Sequence, residues 1–502
     1  MESNGRLRHY FHLRINLKKN LAFEIVGYRL EFSGERTPLA VPWMISGERR
    51  GVPGAVEMTP IQDKEPSVAN TLAPPTRPEH SFKRVAILFA GGPAPAANAV
   101  ISAAAASFLR AGVEVVGIRY GYSSLIDFDP DQPLVEDKDY MMLTHTVLGR
   151  TRNSQGIMIG TARTNPGKHI KGPADLKDPK KAAPMKRVYQ GLKSIGVDAL
   201  ISIGGDDTLK TANKFKLYQQ SNYAPDQVIP VVHLPKTIDN DYFGIDFTFG
   251  FFTAVDFLGT EIRTLIHDAE ATRSYFLTET MGRSAGWLSY GAAIAGEASL
   301  VVSVEDIMAG YMIEEEYTDA GGQVKTRKCM DLPRVVSRIV KTMLAREAEG
   351  KEYGVIVVAE GIAEFLPFSY VEGISRDDHG HIKISEVSLY RILSKAIEER
   401  YEQQTGRKRA VKGLQLGYEA RCAKPHAFDA MLGSQLGVGA FRALAERKLN
   451  GVMVSVKGQL ELIYVPFEEL VDPDTLVTKV RYIDTNSDFH RLARFLETYV
   501  NE

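Results

Sequence analysis

The amino-acid sequence predicts an α/β protein whose parallel sheets are buried between helices. Three observations carry that expectation. After Phe82, short apolar runs alternate with longer stretches of helical periodicity, the pattern of βαβ units. The apolar runs are nearly continuous rather than alternating, as strands covered on both faces are. The residues that leave those runs are rich in glycine, carboxylate and arginine, and open α/β sheets bind ligands beyond the carboxyl ends of their strands.

Taken in order, "RVAILFA" reads as a strand and "NAVISAAAASFLRAG" as a helix stopped by Gly112. "VEVVGI" is a strand, and "KRVYQGLKSIG" is a helix with Val188, Leu192 and Ile195 on one face. The strand "VDALISI" feeds the helix "TLKTANKFKLYQQ", and the strand "VIPVVHL" precedes the long helix "FTAVDFLGTEIRTLIHDA". "SYFLTET" is a strand, "AGWLSYGAAIAGE" a helix and "LVVSV" a strand. "RVVSRIVKTMLAREAEG" is an amphipathic helix with a glycine stop, "YGVIVVA" a strand and "SEVSLYRILSKAIEERYEQQ" a further helix.

Residues 1 to about 80 read differently. "LAFEIVGYRLEF" suits a strand or two, but Gly51 to Ser81 carries Pro53, Pro60, Pro66, Pro74, Pro75 and Pro78 without periodicity. That composition predicts an extension or linker.

At 502 residues, 44% hydrophobic and 25% charged, the chain has the composition of a soluble protein of two or three domains. A net charge of -1 offers no general attraction to nucleic acid or an anionic membrane. Two cysteines, Cys329 and Cys422, fit a reducing cytoplasm and no disulfide framework. The start lacks a secretory h-region, and no apolar run approaches the ~20 residues of a membrane helix.

The strand exits read "AGGPAPAAN", "GGDDT", "PKTIDND", "ETMGR" and "AEG". Gly91 and Gly92 let backbone N–H groups approach a phosphate; a tight turn without ligand also explains them. Gly204 and Gly205 offer a second cradle, and Asp206 beside it suits Mg²⁺, which takes carboxylate plus phosphate oxygens. Asp207 exceeds what one helix cap needs. Left uncompensated, it would repel a phosphate about 4 Å away by roughly 4 kcal/mol at an effective dielectric near 20. Lys236, Asp239 and Asp241 supply a cation and carboxylates within one short stretch, the parts that phosphoryl transfer to a hydroxyl requires. An Asx-rich turn is the plainer alternative. Arg163, Arg283 and Arg421 are forks suited to phosphate, though a single arginine is more often a solvated surface group.

With "GGDDT", "PKTIDND", "MGRSAGW", "VVAEG" and "GYEARC" in this order, the chain resembles the phosphofructokinase family from about Lys83 to Ala445. The resemblance implies two doubly wound, Rossmann-like lobes with the site between them. A donor lobe would span 81–255 and a sugar-phosphate lobe 256–445, with 446–502 packing on them and 1–80 as an extension. The family phosphorylates the 1-hydroxyl of fructose 6-phosphate. Members using ATP typically carry glycine where this chain has Asp207 and Lys236; members using pyrophosphate carry Asp and Lys. The family pattern therefore implies a pyrophosphate-dependent, reversible transfer.

Residue by residue, the resemblance implies Asp239 as general base, assisted by Asp241, with Lys236 stabilising the moving phosphoryl group and Asp207 excluding ATP. Asp206 would hold Mg²⁺, Gly91 would contact pyrophosphate, and Arg163 would bridge donor and sugar. Thr237 and Ile238 would line the substrate. Met281, Gly282 and Arg283 would hold the sugar phosphate ester, Arg283 also lying near the reacting group. Glu360 would accept from sugar hydroxyls, and Tyr418, Arg421 and Lys412 would grip the 6-phosphate. Ala96 stands where the family often has glycine, and Arg273 does not clearly match its usual arginine. A homodimer or homotetramer is implied. The alternatives are an ATP-dependent member, a non-catalytic regulatory subunit, an NAD kinase-like protein without need of "TIDND", and sedoheptulose 7-phosphate as a secondary sugar.

Overall fold

A computed structural model describes residues 23–25, 28–30, 72–318, 321–375 and 382–500. The chain divides into two units, Met1–Pro75 and Thr76–Glu502. In the first, Phe23–Ile25 pairs antiparallel with Tyr28–Leu30, within the stretch read as one or two strands; the rest of the extension up to residue 71 lies outside the described residues.

The second unit bears out the α/β expectation. A seven-stranded sheet runs Glu461–Pro466, Val452–Lys457, Val231–Pro235, Ala199–Gly204, Arg84–Ala90, Glu114–Ile118, Tyr140–Met142. Its five inner strands are parallel and each edge strand is antiparallel to its neighbour. Arg84–Ala90 sits centrally, and the chain leaves it to opposite sides, which creates a switch point at the carboxyl ends. A second, wholly parallel sheet runs Val411–Leu416, Tyr275–Thr280, Gly354–Ala359, Leu300–Val302.

One core runs from the first sheet onto the near face of the second, through Phe276, Val355 and Val357, and a smaller core covers the second sheet's far face. Val85 to Ala90 and Leu200, Ile201 and Ile203 are buried in the first, and Tyr275, Leu277, Ile356 and Val358 pack with Ile339, Val340 and Leu393 in the second. The alanine-rich helix Ala97–Arg110 packs on Ala427–Phe441. A methyl at Gly437 would come 2.5 Å from Val100 O and 2.8 Å from Ala104 N, so small residues set that close approach.

The structure adds elements beyond those read from the sequence. A hairpin of Met312–Thr318 and Val324–Met330 is largely solvent-facing. "LVVSV" is a strand only to Val302, because Ser303 caps a short helix, its N–H donating to Asp306 at 2.8 Å. The C-terminal region supplies two strands to the first sheet and the helix Asp488–Leu496.

Candidate active site

Gly91 leaves the central strand with φ 91°, and its N–H donates to Ala162 O at 2.9 Å. The next strand ends at Gly204–Gly205, where the helix Asp206–Asn222 begins. Lys236 joins these turns: a methyl on Gly91 would lie 3.4 Å from Lys236 Nζ, and one on Gly205 3.5 Å from it. The Lys236 ammonium thus lies within van der Waals reach of both turns. Burial pushes Lys236 down to about 8, against the pull of the Asp239 carboxylate.

The turn after Lys236 is locked from within. The Asp239 N–H donates to Thr237 Oγ1 at 3.0 Å, and Thr248 Oγ1 donates to Thr237 O at 2.7 Å. Asn240 is fully buried with φ 54°, a left-handed geometry that asparagine tolerates, and its Oδ1 accepts from Thr248 N at 2.9 Å. Ile238 is buried beside it. Below, His233, held down to about 3 by burial, meets Tyr242 OH at 3.0 Å, and that hydroxyl donates to Gly204 O at 3.0 Å.

This placement crowds carboxylates. Burial raises Asp239, opposed by Arg421 and Lys236. Burial, then the charges of Asp239 and Asp206, pushes Asp241 up to about 7. Burial, then Asp239, pushes Glu360 up to about 7 as well.

Asp206 and Asp207 open their helix, and Lys210 reaches both, with Nζ 2.9 Å from each carboxylate. Against burial, which lowers it, the two acids hold the Lys210 ammonium above its usual range. Asp207 is thus compensated, so its repulsion of a phosphate falls below the bare-charge figure. Lys210 was legible as an (i, i+3) and (i, i+4) partner but went unread.

The second sheet contributes the facing wall. The Gly282 N–H donates to Glu360 Oε1 at 3.3 Å, and Met281 lines the cavity. Arg283 reaches Glu364 Oε1 at 3.4 Å and Ile382 O at 3.3 Å. A methyl on Gly361 would come 2.1 Å from Arg283 O, so the glycine of "AEG" permits the Arg283 turn. Arg421 stacks on Tyr418, 4.8 Å from the ring centre. Arg163 and Arg421 converge, each 3.9 Å from a methyl built on Gly92. A cavity of about 1100 Å³ joins Arg163, Asp207, Lys210, Asp239, Arg283, Glu360, Tyr418 and Arg421. A second, of about 920 Å³, is lined by Gly91, Asp206, Lys236, Thr237, Ile238 and Asp241 among others.

Lys412 is the exception. It lies near the start of the edge strand Val411–Leu416, whereas Tyr418 and Arg421 follow that strand's end. Its Nζ pairs with Asp268 at 3.2 Å and sits over Phe276. Within one chain Lys412 does not line the cleft, because four residues of extended strand carry it away from Tyr418 and Arg421. Arg273, exposed at a helix C-cap, is also outside the cavities.

Sequence reasoning also missed the segment after Val471. Thr478 Oγ1 donates to Asp206 Oδ1, and Arg481 donates from its guanidinium to Asn240 O at 2.8 Å.

Among the described residues, no cluster of three or more His, Cys, Asp or Glu could hold a metal alone. Mg²⁺ asks less, since one or two carboxylates plus phosphate and water oxygens satisfy it. Asp206 and Asp241 line one cavity, and the like-charge pressure on Asp241 is what a divalent cation would relieve. The donor set fits Mg²⁺.

Two walls of glycine turns, lysine and arginine around half-buried carboxylates mark a phosphotransferase cleft. The chain belongs to the phosphofructokinase family: the family profile for phosphofructokinase matches residues 84–444. It is 33% identical over 423 residues to a pyrophosphate--fructose 6-phosphate 1-phosphotransferase of Thermotoga maritima, covering 82% of this chain and 90% of that protein. It is 31% identical over 407 residues to an ATP-dependent 6-phosphofructokinase of Corynebacterium efficiens, covering 81% and 99%. A pyrophosphate-dependent phosphofructokinase structure from Marinobacter aquaeolei shares the fold, with TM-score 0.55 and 14% identity over 84% of this chain and 93% of that one. No helix among the described residues is long and apolar enough to cross a membrane.

Proposed function

We propose that this chain catalyses reversible, Mg²⁺-dependent phosphoryl transfer from pyrophosphate to the 1-hydroxyl of fructose 6-phosphate. The observation that carries this reading is Lys236, whose ammonium occupies the space between the Gly91 and Gly205 turns. A buried cation there serves a compact inorganic diphosphate. Asp207, even with Lys210 beside it, leaves the Asp206–Asp207–Lys210 group with net negative charge where a longer chain of phosphates would continue.

In this reading Asp239 takes the proton from the sugar hydroxyl as its oxygen attacks the nearer phosphorus, and the bridging oxygen leaves with the departing phosphate. Burial makes Asp239 a better-matched base near neutrality than a solvated aspartate. Lys236, Arg163 and Arg283 oppose the charge that develops on the transferring group, while Gly91 meets the diphosphate. Thr237, Ile238 and Asp241 shape the floor, Glu360 receives sugar hydroxyls, and Met281, Gly282, Tyr418 and Arg421 hold the ester. Mg²⁺, held by Asp206, would neutralise phosphate oxygens. In a homodimer or homotetramer, a second copy would have to bring Lys412 to the sugar phosphate.

The second reading is transfer from ATP, favoured by the compensation of Asp207 by Lys210 and by ATP-dependent relatives at similar identity. Steady-state assay of the purified chain with Mg²⁺ and each donor in turn decides between them. Turnover with pyrophosphate and little with ATP is expected; efficient ATP use without pyrophosphate use overturns the donor assignment.

A further inference from the structure

The segment from Asp472 to Ile483 crosses from the first sheet's turns to the second sheet's helices, and it is fastened along its length. At its start, Asp472 N donates to Val477 O at 2.8 Å and Leu476 N to Asp472 O at 2.9 Å. Thr475 N donates to Asp472 Oδ1 at 2.8 Å. Leu476 is buried with φ 55°, a backbone geometry costly for leucine. A strained residue persists only where its surroundings over-determine it, so this turn is firmly held.

Beyond it, Thr478 bridges to Val471 and Val480 to Tyr242. Thr478 is buried, and its hydroxyl donates to Asp206. Arg481 meets the turn of the base from two directions: its backbone N–H donates to Asp241 O at 2.9 Å and its guanidinium to Asn240 O at 2.8 Å. The same guanidinium lies 4.4 Å from the Trp287 ring centre, and Trp287 Nε1 donates to Arg481 O at 2.8 Å. Ile483 N ends the crossing on Glu305 Oε1 at 3.0 Å. Trp287 opens the helix after the strand Tyr275–Thr280, so Arg481 ties the carboxylate turn of one wall to the other wall.

We propose that this C-terminal strap is a positioning element for phosphoryl transfer, in which Thr478 orients the Asp206 carboxylate toward Mg²⁺ and Arg481 fixes the Asn240–Asp241 peptide that places Asp239. The proposal rests on reading the cleft as a phosphoryl-transfer site, with either donor. Lys210 holds the Asp206 Oδ2 side and the Thr478 hydroxyl holds Oδ1, so the two together fix the plane in which the carboxylate meets the metal. Arg481 acts on backbone rather than on substrate, so it sets the geometry of the chemical step rather than the binding of sugar.

Two measurements test it on the full chain. Mn²⁺ binding, read from the free-ion signal in electron paramagnetic resonance, is compared in Thr478→Val and Thr478→Ser. The valine variant is expected to weaken Mn²⁺ about tenfold and the serine variant to restore most of the affinity; unchanged affinity in a folded Thr478→Val overturns the role of Thr478. For Arg481, kcat and KM for fructose 6-phosphate are measured in Arg481→Met and Arg481→Lys with the donor that is turned over. Arg481→Met is expected to lower kcat on the order of tenfold to a hundredfold with KM nearly unchanged, and Arg481→Lys to recover part of it. Should Arg481→Met fail to fold, Arg481→Lys decides: a wild-type kcat there overturns the role of Arg481. Weakened Mn²⁺ binding in a chain that uses neither donor removes the functional reading and leaves the role of Thr478 standing.

Discussion

Lys210 Nζ lies 2.9 Å from the carboxylate of Asp207, so the extra acid of the donor cleft carries its own counter-charge. The same ammonium serves Asp206. Removing it leaves two adjacent carboxylates facing a phosphate site. Lys210→Met is therefore expected to raise KM for pyrophosphate by roughly tenfold, about 1.4 kcal/mol, with a smaller change in KM for the sugar. Initial-rate kinetics in each substrate check this, and an unchanged pyrophosphate KM refutes the compensation argument.

The donor assignment predicts a paired effect. Asp207→Gly combined with Lys236→Gly empties the cradle of its central cation and is expected to cost pyrophosphate turnover on the order of a hundredfold or more. Any gain with ATP is small, because an adenosine site requires more than two substitutions. Both donors are assayed in the same preparation; wild-type pyrophosphate kinetics in the double variant would sink the mechanism.

Asp239→Asn is nearly isosteric and keeps the Asp239 N–H bond to Thr237 Oγ1 that shapes the turn. It removes the base. A loss of about 10² to 10⁴ in kcat with modest change in either KM is the expected result. A loss confined to KM would place the group in binding instead.

The pH profile follows from two signs. Asp239 works as base only when ionised, so the rate rises with pH as it loses its proton, and burial holds it above the ordinary aspartate range. Lys236 works only when protonated, so the rate falls as pH passes about 8. A bell whose alkaline limb falls near pH 8 is expected for kcat/KM, and Lys236→Met should flatten that limb. A profile rising from pH 4 like a solvated aspartate contradicts the buried-carboxylate account.

Gly361→Ala would place a methyl 2.1 Å from Arg283 O and 2.8 Å from Val304 Cγ2. One wall or the other has to move. A stability loss of roughly 2 to 3 kcal/mol, read by denaturant titration, is expected together with weaker sugar phosphate binding. Wild-type stability would show that the Arg283 turn is slack.

The parallel core was legible because its strands are continuous apolar runs: "RVAILFA" coincides with Arg84–Ala90, and "YGVIVVA" differs from Gly354–Ala359 by one residue. The strand Val411–Leu416 was not, since "VKGLQL" at a sheet edge is half solvated and carries no such run. Asp206, Asp207, Lys236 and Asp239 stand at strand exits and so announced themselves. Thr478 and Arg481 reach the cleft from more than two hundred residues away, by a path that local sequence does not encode. Lys412 lies near the start of its strand, away from Tyr418 and Arg421 in the same chain, a separation that its place in a motif does not reveal.

The sheet that carries the donor turns is finished only by Val452–Lys457 and Glu461–Pro466, strands made after the whole of the other sheet. On a ribosome, all four strands of the second sheet are therefore made while the first sheet still lacks an edge, although the second sheet's flank also awaits Glu497 and Thr498, which bond Val301 N and Ser299 O. Val231–Pro235 waits, with one flank unpaired, until the last tenth of the polypeptide emerges, and a message truncated near codon 450 would leave that flank open to intermolecular pairing.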